Sequence, residues 1–500
     1  MLTLIFSGFS VGAEPAVDRD ARIAALLPAL ERTSREFARG FGAPGVAIAV
    51  VTPDRTDYIT FGVREVGRPG KIDASTIFQL ASVSKPITST FAAVLVSQGR
   101  LSFDDSVSKL LPDFCFASAE VTRRTTVRDL FWQISGLPGE TGDFLETLGY
   151  RESDILRQMR YVRTGADFKK KWAYANFGIT TGGVAAAAST GEPFAKAIRA
   201  ELFRPAGMRT AFIDYHRLQQ IRNRAHLHTT LLGEARPLFV RDAEPEAPGG
   251  GINGSVQDMA ALLRLHLNDG RVKGRQVVTP EALRETYQPS KVNPGYALCW
   301  NVSLDDHGAP KFISHSGAFL SGSRTEVAFW PQEKIGIAVL SNSFPSLLPE
   351  AISDAFHQLY TTGRVDPKTL ARFQGLVPKA FPGLDADRER LQKSEDITGD
   401  VGGVPLAAFV GSYGNDYLGR VSVQLANDPG TGTPTLFFAS GPRFAPLKIQ
   451  KIAGTARLVS TTVEGDPVSY EFRNLHGGAY QELHLPALEE IRWKALQRLP

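Results

Sequence analysis

The chain reads as α/β in the α+β sense: an antiparallel sheet flanked by helices, a helical subdomain, and a separate small antiparallel β-barrel at the C-terminus. Three observations predict this. Runs rich in β-branched residues open and close the first 360 residues, with a helical stretch between them. Clean period-2 alternation returns only after residue 407. The chain has 500 residues, more than the ~250–300 at which a single hydrophobic core stops growing.

Taken in order, residues 21–40 have the apolar spacing of an amphipathic helix. GVAIAVVTP (45–53) is a short strand, and YITFGV (58–63) is its partner across Pro53-Asp54-Arg55. After Pro86, ITSTFAAVLVSQGRL is apolar on most sides and reads as a buried helix ending near Gly99. Residues 100–290 are mostly helical. Within them, 248–270 is a Gly-rich loop running into an amphipathic helix that stops at Gly270. Four strands follow at 296–303, 311–318, 325–331 and 335–342, then a helix at 347–361. Early and late strands predict one sheet assembled from both ends of a domain spanning 20–361. Residues 362–403, rich in Lys, Asp, Gly and Pro, read as a linker. Residues 404–500 alternate as a small barrel or sandwich, with Val421, Val423 and Leu425 on one face and Val468, Tyr470 and Phe472 on another.

At the N-terminus, residues 1–19 form either a truncated export signal or an apolar tail. Leu2–Phe9 is apolar and Val11-Gly12-Ala13 precedes Glu14 like a cleavage site, but no positive segment leads it. A periplasmic or secreted location is the expectation, with a cytoplasmic one as alternative. No run reaches the ~20 apolar residues of a membrane span. Lys and Arg number 56 against 52 Asp and Glu, too even a balance for a nucleic-acid binder. The two cysteines, Cys115 and Cys299, make no disulfide framework, and no Cys/His cluster suggests zinc. No metal and no cofactor are expected.

The chemistry gathers in three short motifs. In Ser82-Val83-Ser84-Lys85, positions i and i+3 of a helical turn bring Ser82 and Lys85 together. A serine hydroxyl needs a base to become a nucleophile. A lysine withdrawn from water surrenders its proton more readily and can be that base. Tyr174-Ala175-Asn176 offers a phenol to relay a proton and an amide to orient a carbonyl. His315-Ser316-Gly317 lies on a strand whose glycine admits a close backbone approach. Each motif has a decoy: Ser106-Val107-Ser108-Lys109, Tyr413-Gly414-Asn415 and His476-Gly477-Gly478. Order and context select Ser82, Tyr174 and His315, because the other Tyr and His copies fall beyond the linker and the second SVSK precedes no long buried helix.

With those motifs in order, the chain resembles the serine hydrolases related to class C β-lactamases. That group includes penicillin-binding proteins, D-Ala-D-Ala carboxypeptidases, D-aminopeptidases and β-lactamase-like carboxylesterases. FQLASVSKPIT (78–88), ISGLP (134–138), YANFG (174–178), LFRPAGMRT (202–210), GGGINGSVQDMA (249–260), HSGA (315–318) and AVLSN (338–342) carry the likeness over about residues 20–360. The resemblance implies Ser82 as nucleophile, with Lys85 and Tyr174 sharing the base and relay work. Asn176 would hold substrate, and His315 would stand where the third motif has lysine. The oxyanion hole would be formed by the backbone N–H groups of Ser82 and Ala318. Ser316, Gly317 and Ala318 would line the substrate, and Arg324 is a candidate carboxylate binder. GSYGNDYLG (411–419) resembles the lipocalin-like appendage of some relatives.

Two departures matter. Histidine in place of the third motif's lysine weakens the fixed cation offered to a β-lactam carboxylate, which favours peptidase or esterase over β-lactamase. The usual HTSGL segment begins here with Gln133. Lys169-Lys170-Lys171 reads as a solvated loop, with a rim for anionic substrates as the other reading. His226 and His228 read as a satisfied or exposed pair, Cys299 as a buried strand thiol, and Tyr413 as barrel packing. The expected partner is a small ester, amide or short peptide. The alternatives are a penicillin-binding sensor that acylates but turns over poorly, and a scaffold that keeps a relic motif.

Overall fold

The computed structural model describes residues 16–238, 240–441, 445–462, 467–490, 493 and 495–500. The candidate export signal lies outside the described residues. The chain forms two compact units, which interleave in sequence: residues up to 106, 126–132 and 179–382 make the first, and 107–125, 133–178 and 383–500 the second.

The first unit opens with helix α1 (Ala16–Gly40), followed by strands β1 (Gly45–Val51) and β2 (Thr56–Gly62). Helix α2 (Ser84–Ser97) comes next, then α3 (Asn176–Ala188), whose first turn belongs to the second unit. The returning strands are β3 (Asn301–Leu304), β4 (Pro310–Phe319), β5 (Ser323–Trp330) and β6 (Ile335–Ser341), and helix α4 is Leu348–Thr362. The strands form one sheet in the order β2-β1-β6-β5-β4-β3, antiparallel throughout. The sheet is therefore assembled from both ends of the region, as the sequence predicts. All seven residues of β1 are buried, since helices cover both faces. On one face Ile23, Leu30 and Phe37 of α1 pack with Val46, Ile48 and Val50 of β1 and with Ile352 and Phe356 of α4. Helix α2 is buried from Ser84 to Leu95, which explains its lack of an amphipathic stripe.

Two expectations fail here. The run from Tyr296 to Trp300 is not a strand: each of its residues is buried, and Cys299 sits at φ 65° with its N–H bonded to the Phe131 carbonyl at 3.2 Å. Its apolar residues reflect burial of a turn on every side, and the strand begins only at Asn301. Burial pushes the Cys299 thiol up. The second failure is the linker. Residues 369–380 form helix α5 (Thr369–Ala380) and 384–393 form α6 (Leu384–Lys393), followed by a strand at Ser394–Asp396. Leu370, Phe373, Leu376 and Val377 recur at helical spacing and pack on the α1–α4 core, and Arg372 pairs with Asp354. The density of charge and Pro hid this short stripe.

Among the described residues of the second unit, ten strands run from Ser394–Asp396 at one edge to Leu447–Lys448 at the other. The stretch 447–452 pairs with Pro434–Ala439 through its first half and with Leu458–Thr461 through its second, so the sheet curls back on itself. Strands β7 (Gly411–Asn415) and β8 (Gly419–Asn427) are joined by a tight hairpin. Tyr413 is fully buried, its hydroxyl donating to the Phe409 carbonyl at 3.0 Å, and it packs edge-on to Phe472. Among the described residues no helix is long and apolar enough to cross a membrane.

Phe373 is 1% exposed. Phe373→Ala should therefore cost about 3–5 kcal/mol of unfolding free energy, measured by urea denaturation. A loss below about 0.5 kcal/mol, typical of a surface site, would return α5 to the status of a linker.

Candidate active site

The site is built around a sharp turn. A two-residue strand, Phe78–Gln79, pairs with Asn253–Gly254 of the Gly-rich loop, and the chain then bends through Ala81 at φ 48°. That left-handed conformation is costly for a residue with a Cβ and persists only where neighbours over-determine it. They do so here. The Leu80 N–H donates to the Ile252 carbonyl at 3.1 Å. Ser323 Oγ donates to the Gln79 carbonyl at 2.8 Å and Thr325 Oγ1 to that of Leu80 at 2.7 Å. The Ile252 N–H in turn donates to Ser84 Oγ at 3.0 Å. Sheet and Gly-rich loop thus clamp the bend from two sides, and Ser82 emerges from it into a turn that continues as α2.

Lys85 is wholly buried on the first turn of α2. Its Nζ donates to Ser82 Oγ at 2.9 Å and to the Gly249 carbonyl at 2.7 Å. This is hydrogen-bond reach between a hydroxyl and a nitrogen able to exchange its proton. The Gly-rich loop has a rigid base: Ser255 and Asp258 form a reciprocal cap on helix Val256–Leu267, and the Thr210 N–H donates to Asp258 Oδ1 at 3.0 Å. LFRPAGMRT and GGGINGSVQDMA, separate in sequence, are therefore joined at Asp258.

Strand β4 closes one side. A Cβ on Gly317 would lie 2.4 Å from the Leu80 carbonyl and 2.9 Å from the Ser82 backbone nitrogen, so only glycine lets the strand pass the turn this closely. Strand β3 pairs with β4 only between Pro310 and Ser314. From His315 to Phe319 that edge carries no strand partner among the described residues, and Ser316 and Ala318 are its partly exposed positions. His315 is buried, its Nδ1 2.8 Å from the Ser316 carbonyl, which fixes the proton on Nδ1. Burial, helped by the Lys85 and Arg324 charges, pushes its pKa down to about 3, so the ring is neutral through the physiological range.

Arg324 departs from its expectation. Ser323 and Thr325 point at the Ser82 turn, so alternation sends Arg324 to the opposite face. There it forms a buried ion pair with Glu350 of α4, beside Glu326, which accepts from Ser353 Oγ. It is committed away from Ser82 and does not serve as a carboxylate binder there.

Tyr174 and Asn176 belong to the second unit, at the entry to α3. Gln133 holds the residues on both sides of Tyr174. Its carbonyl accepts from the Ala173 N–H at 3.0 Å and its side-chain Oε1 from the Ala175 N–H at 2.9 Å. Asn176 Nδ2 donates to Asp143 Oδ2 at 2.8 Å. Neither Gln133 nor Asp143 was anticipated. Gln133 stood out only as an absent histidine, and nothing near Asp143 in the sequence signals it.

The decoys differ in surroundings. Lys109 of the second SVSK is exposed on a four-residue helix, whereas Lys85 is fully enclosed. His228 is satisfied as expected, with Nδ1 against the Asn342 carbonyl at 3.0 Å and Nε2 accepting from the Val66 N–H at 3.1 Å. Lys169, Lys170 and Lys171 are exposed. Among the described residues no group of three His, Cys, Asp or Glu could hold a metal ion.

A family model described as Beta-lactamase matches residues 30–360, about two thirds of the chain. The chain belongs to the β-lactamase family. Penicillin-binding protein 4 of Amycolatopsis lactamdurans is 30% identical over 236 residues, covering 45% of this chain and 60% of that protein. A β-lactamase of Escherichia coli K12 is 22% identical over 333 residues, covering 60% of this chain and 84% of the other. The octameric penicillin-binding protein homologue from Pyrococcus abyssi shares the fold, with a TM-score of 0.56 at 18% identity over 92% of this chain and 98% of that one. The β-lactamase-family fold is that of serine hydrolases working through an acyl-enzyme, and the Ser82–Lys85 pair lies inside the matched region.

Two outcomes follow from this geometry. Arg324→Met should destabilise the chain by about 3–5 kcal/mol by stranding Glu350 in the core. It should leave the rate of fluorophosphonate labelling within about threefold, an allowance of about 0.7 kcal/mol. Labelling slowed about a hundredfold in a folded variant would restore Arg324 to the site.

Proposed function

We propose that the protein is a serine hydrolase that opens small esters or amides, peptidase- or esterase-like in preference, through an acyl-enzyme on Ser82. The Lys85 Nζ–Ser82 Oγ contact at 2.9 Å, from a fully buried lysine to a partly buried serine, is the observation that carries this reading. Lys85, acting in its uncharged form, takes the hydroxyl proton as Ser82 Oγ attacks the carbonyl carbon, and the oxygen that becomes negative is met by backbone N–H groups of Ser82 and Ala318. The close pass of Gly317 along the Ser82 nitrogen supports that pairing. Tyr174 delivers the proton to the leaving group, and Asn176 orients the substrate carbonyl or amide. Water then resolves the ester, with the same groups acting in reverse.

The substrate preference rests on His315. A buried neutral imidazole gives no fixed charge to a carboxylate beside the scissile bond. The balance therefore moves toward neutral esters and amides, including D-amino-acid derivatives, and away from β-lactams. The name and fold of the relatives support a second reading, a penicillin-binding module that acylates and turns over slowly.

A panel of p-nitrophenyl esters, D-Ala p-nitroanilide and nitrocefin, with intact-mass spectrometry, separates these readings. The expected result is turnover of an ester or anilide, loss of at least about 10³-fold in Ser82→Ala, and a comparable loss in Lys85→Ala. A Ser82 adduct that persists without turnover would establish the sensor instead. Ser82→Ala hydrolysing like wild type would remove both.

The pH profile is a further check. The His315 pKa is depressed to about 3, so the ring does not titrate between pH 5 and 8. The rate in that window should carry no limb that His315→Gln abolishes. The stability contributed by neutral His315, and by His266, whose pKa burial also pushes down to about 3, is complete above pH ~6.5. It should be lost progressively as pH falls toward 3, seen as a falling thermal midpoint. A midpoint constant from pH 7 to 4 would contradict the burial of both rings.

A further inference from the structure

The C-terminal sheet and the Tyr-x-Asn element belong to one compact unit, and their contacts converge on a single short segment. The hairpin between β7 and β8 is fixed by the Leu418 N–H donating to Asn415 Oδ1 at 2.7 Å. It presents Tyr417, fully buried and stacked on Trp493 at 6.1 Å between ring centres. The Tyr417 hydroxyl accepts from the backbone N–H of Gly142 at 3.1 Å. Two further contacts hold the same segment: Tyr150 donates its hydroxyl to the Leu418 carbonyl at 2.7 Å, and a Cβ on Gly441 would lie 1.9 Å from the Leu148 carbonyl.

Gly142 caps the short helix Asp143–Thr147 at φ 93°, and a Cβ there would lie 2.5 Å from the Phe177 ring. The neighbour of Gly142 on one side is Asp143, which accepts from Asn176. The residue packed against its Cα is Phe177, adjacent to Asn176 in sequence. The segment gripped by the C-terminal sheet is thus the one that holds Asn176, through a side-chain hydrogen bond and through packing.

We propose that the C-terminal sheet sets the geometry of the Tyr-x-Asn element, with Tyr417 and Asp143 as positioning residues for acylation. This rests on the substrate role of Asn176 proposed above. The effect has a simple physical origin. Removing the Tyr417 oxygen leaves the buried Gly142 N–H without that partner, so the Asp143 turn relaxes toward another donor–acceptor arrangement. Small displacements of substrate-positioning groups are amplified in rate.

The test uses the full chain and a set of single and double variants. Tyr417→Phe keeps the ring against Trp493 and removes only the hydroxyl. It should lower kcat/KM for the preferred p-nitrophenyl ester about five- to tenfold. On an Asn176→Ala background the same change should have less than about a twofold effect, because the residue it positions is gone. Tyr413→Phe, in the barrel core, should lower the thermal midpoint and leave kcat/KM within about twofold. Asp143→Asn, which still accepts from Asn176, should retain most of the rate that Asp143→Ala loses, and this pair carries the test if Tyr417→Phe folds poorly. A neutral Tyr417→Phe in a Ser82-dependent enzyme, or a full effect retained on Asn176→Ala, would overturn the positioning role while leaving the proposed function standing. Hydrolysis that survives Ser82→Ala would instead overturn the proposed function and this inference with it.

Discussion

Everything at the Ser82 site hangs on the bend at Ala81. A residue with a Cβ is held at positive φ, and the compensation comes from two elements far away in sequence. Ser323 and Thr325 bond the carbonyls before the bend from the sheet side, and Ile252 bonds Leu80 and Ser84 from the Gly-rich loop. The same loop gives its Gly249 carbonyl to Lys85. The strain that aims Ser82 and the cage that holds its partner lysine are therefore one network. A substitution in the Gly-rich loop would disturb both, because neither is local to α2.

The sheet explains why that network can be rigid. Strand β5 divides its labour by alternation. Ser323 and Thr325 face the bend, while Arg324 and Glu326 face α4 and are closed off by Glu350 and Ser353. Glu326 shares that buried patch with the Arg324–Glu350 pair and with Asp354, and burial together with the nearby Glu350 charge pushes its pKa up to about 8. The near face is left to hold the turn.

What the sequence made legible was whatever rests on local pattern. The strands of the main sheet, the buried character of α2 and the Ser-x-x-Lys juxtaposition all follow from periodicity, because residues three or four apart must meet on a helix and alternate residues must part on a strand. Its three errors share a cause. The Tyr296–Trp300 turn, the α5 helix and the Arg324 assignment each depend on what lies opposite in space, and a single chain read linearly does not contain the identity of that neighbour. Gln133 and Asp143 were overlooked for the same reason. Their partners, Ala173, Ala175 and Asn176, lie 33 to 42 positions away. The duplicated SVSK makes the point most sharply. The letters are the same, but one lysine is enclosed by the Gly-rich loop and the other is open to solvent, so the chemistry resides in the enclosure.

Enclosure also bears on what kind of substrate such a site selects. His315 on β4 is held neutral chiefly by burial. The histidine keeps a hydrogen-bonding ring on β4, its Nδ1 against the Ser316 carbonyl. On the proposed function, a neutral ring there means a weaker grip on an anionic group beside the scissile bond. The C-terminal sheet bears on the same question through the segment it holds: its contacts fall on Gly142, Leu148 and Tyr150, and Asp143 in that segment accepts from Asn176.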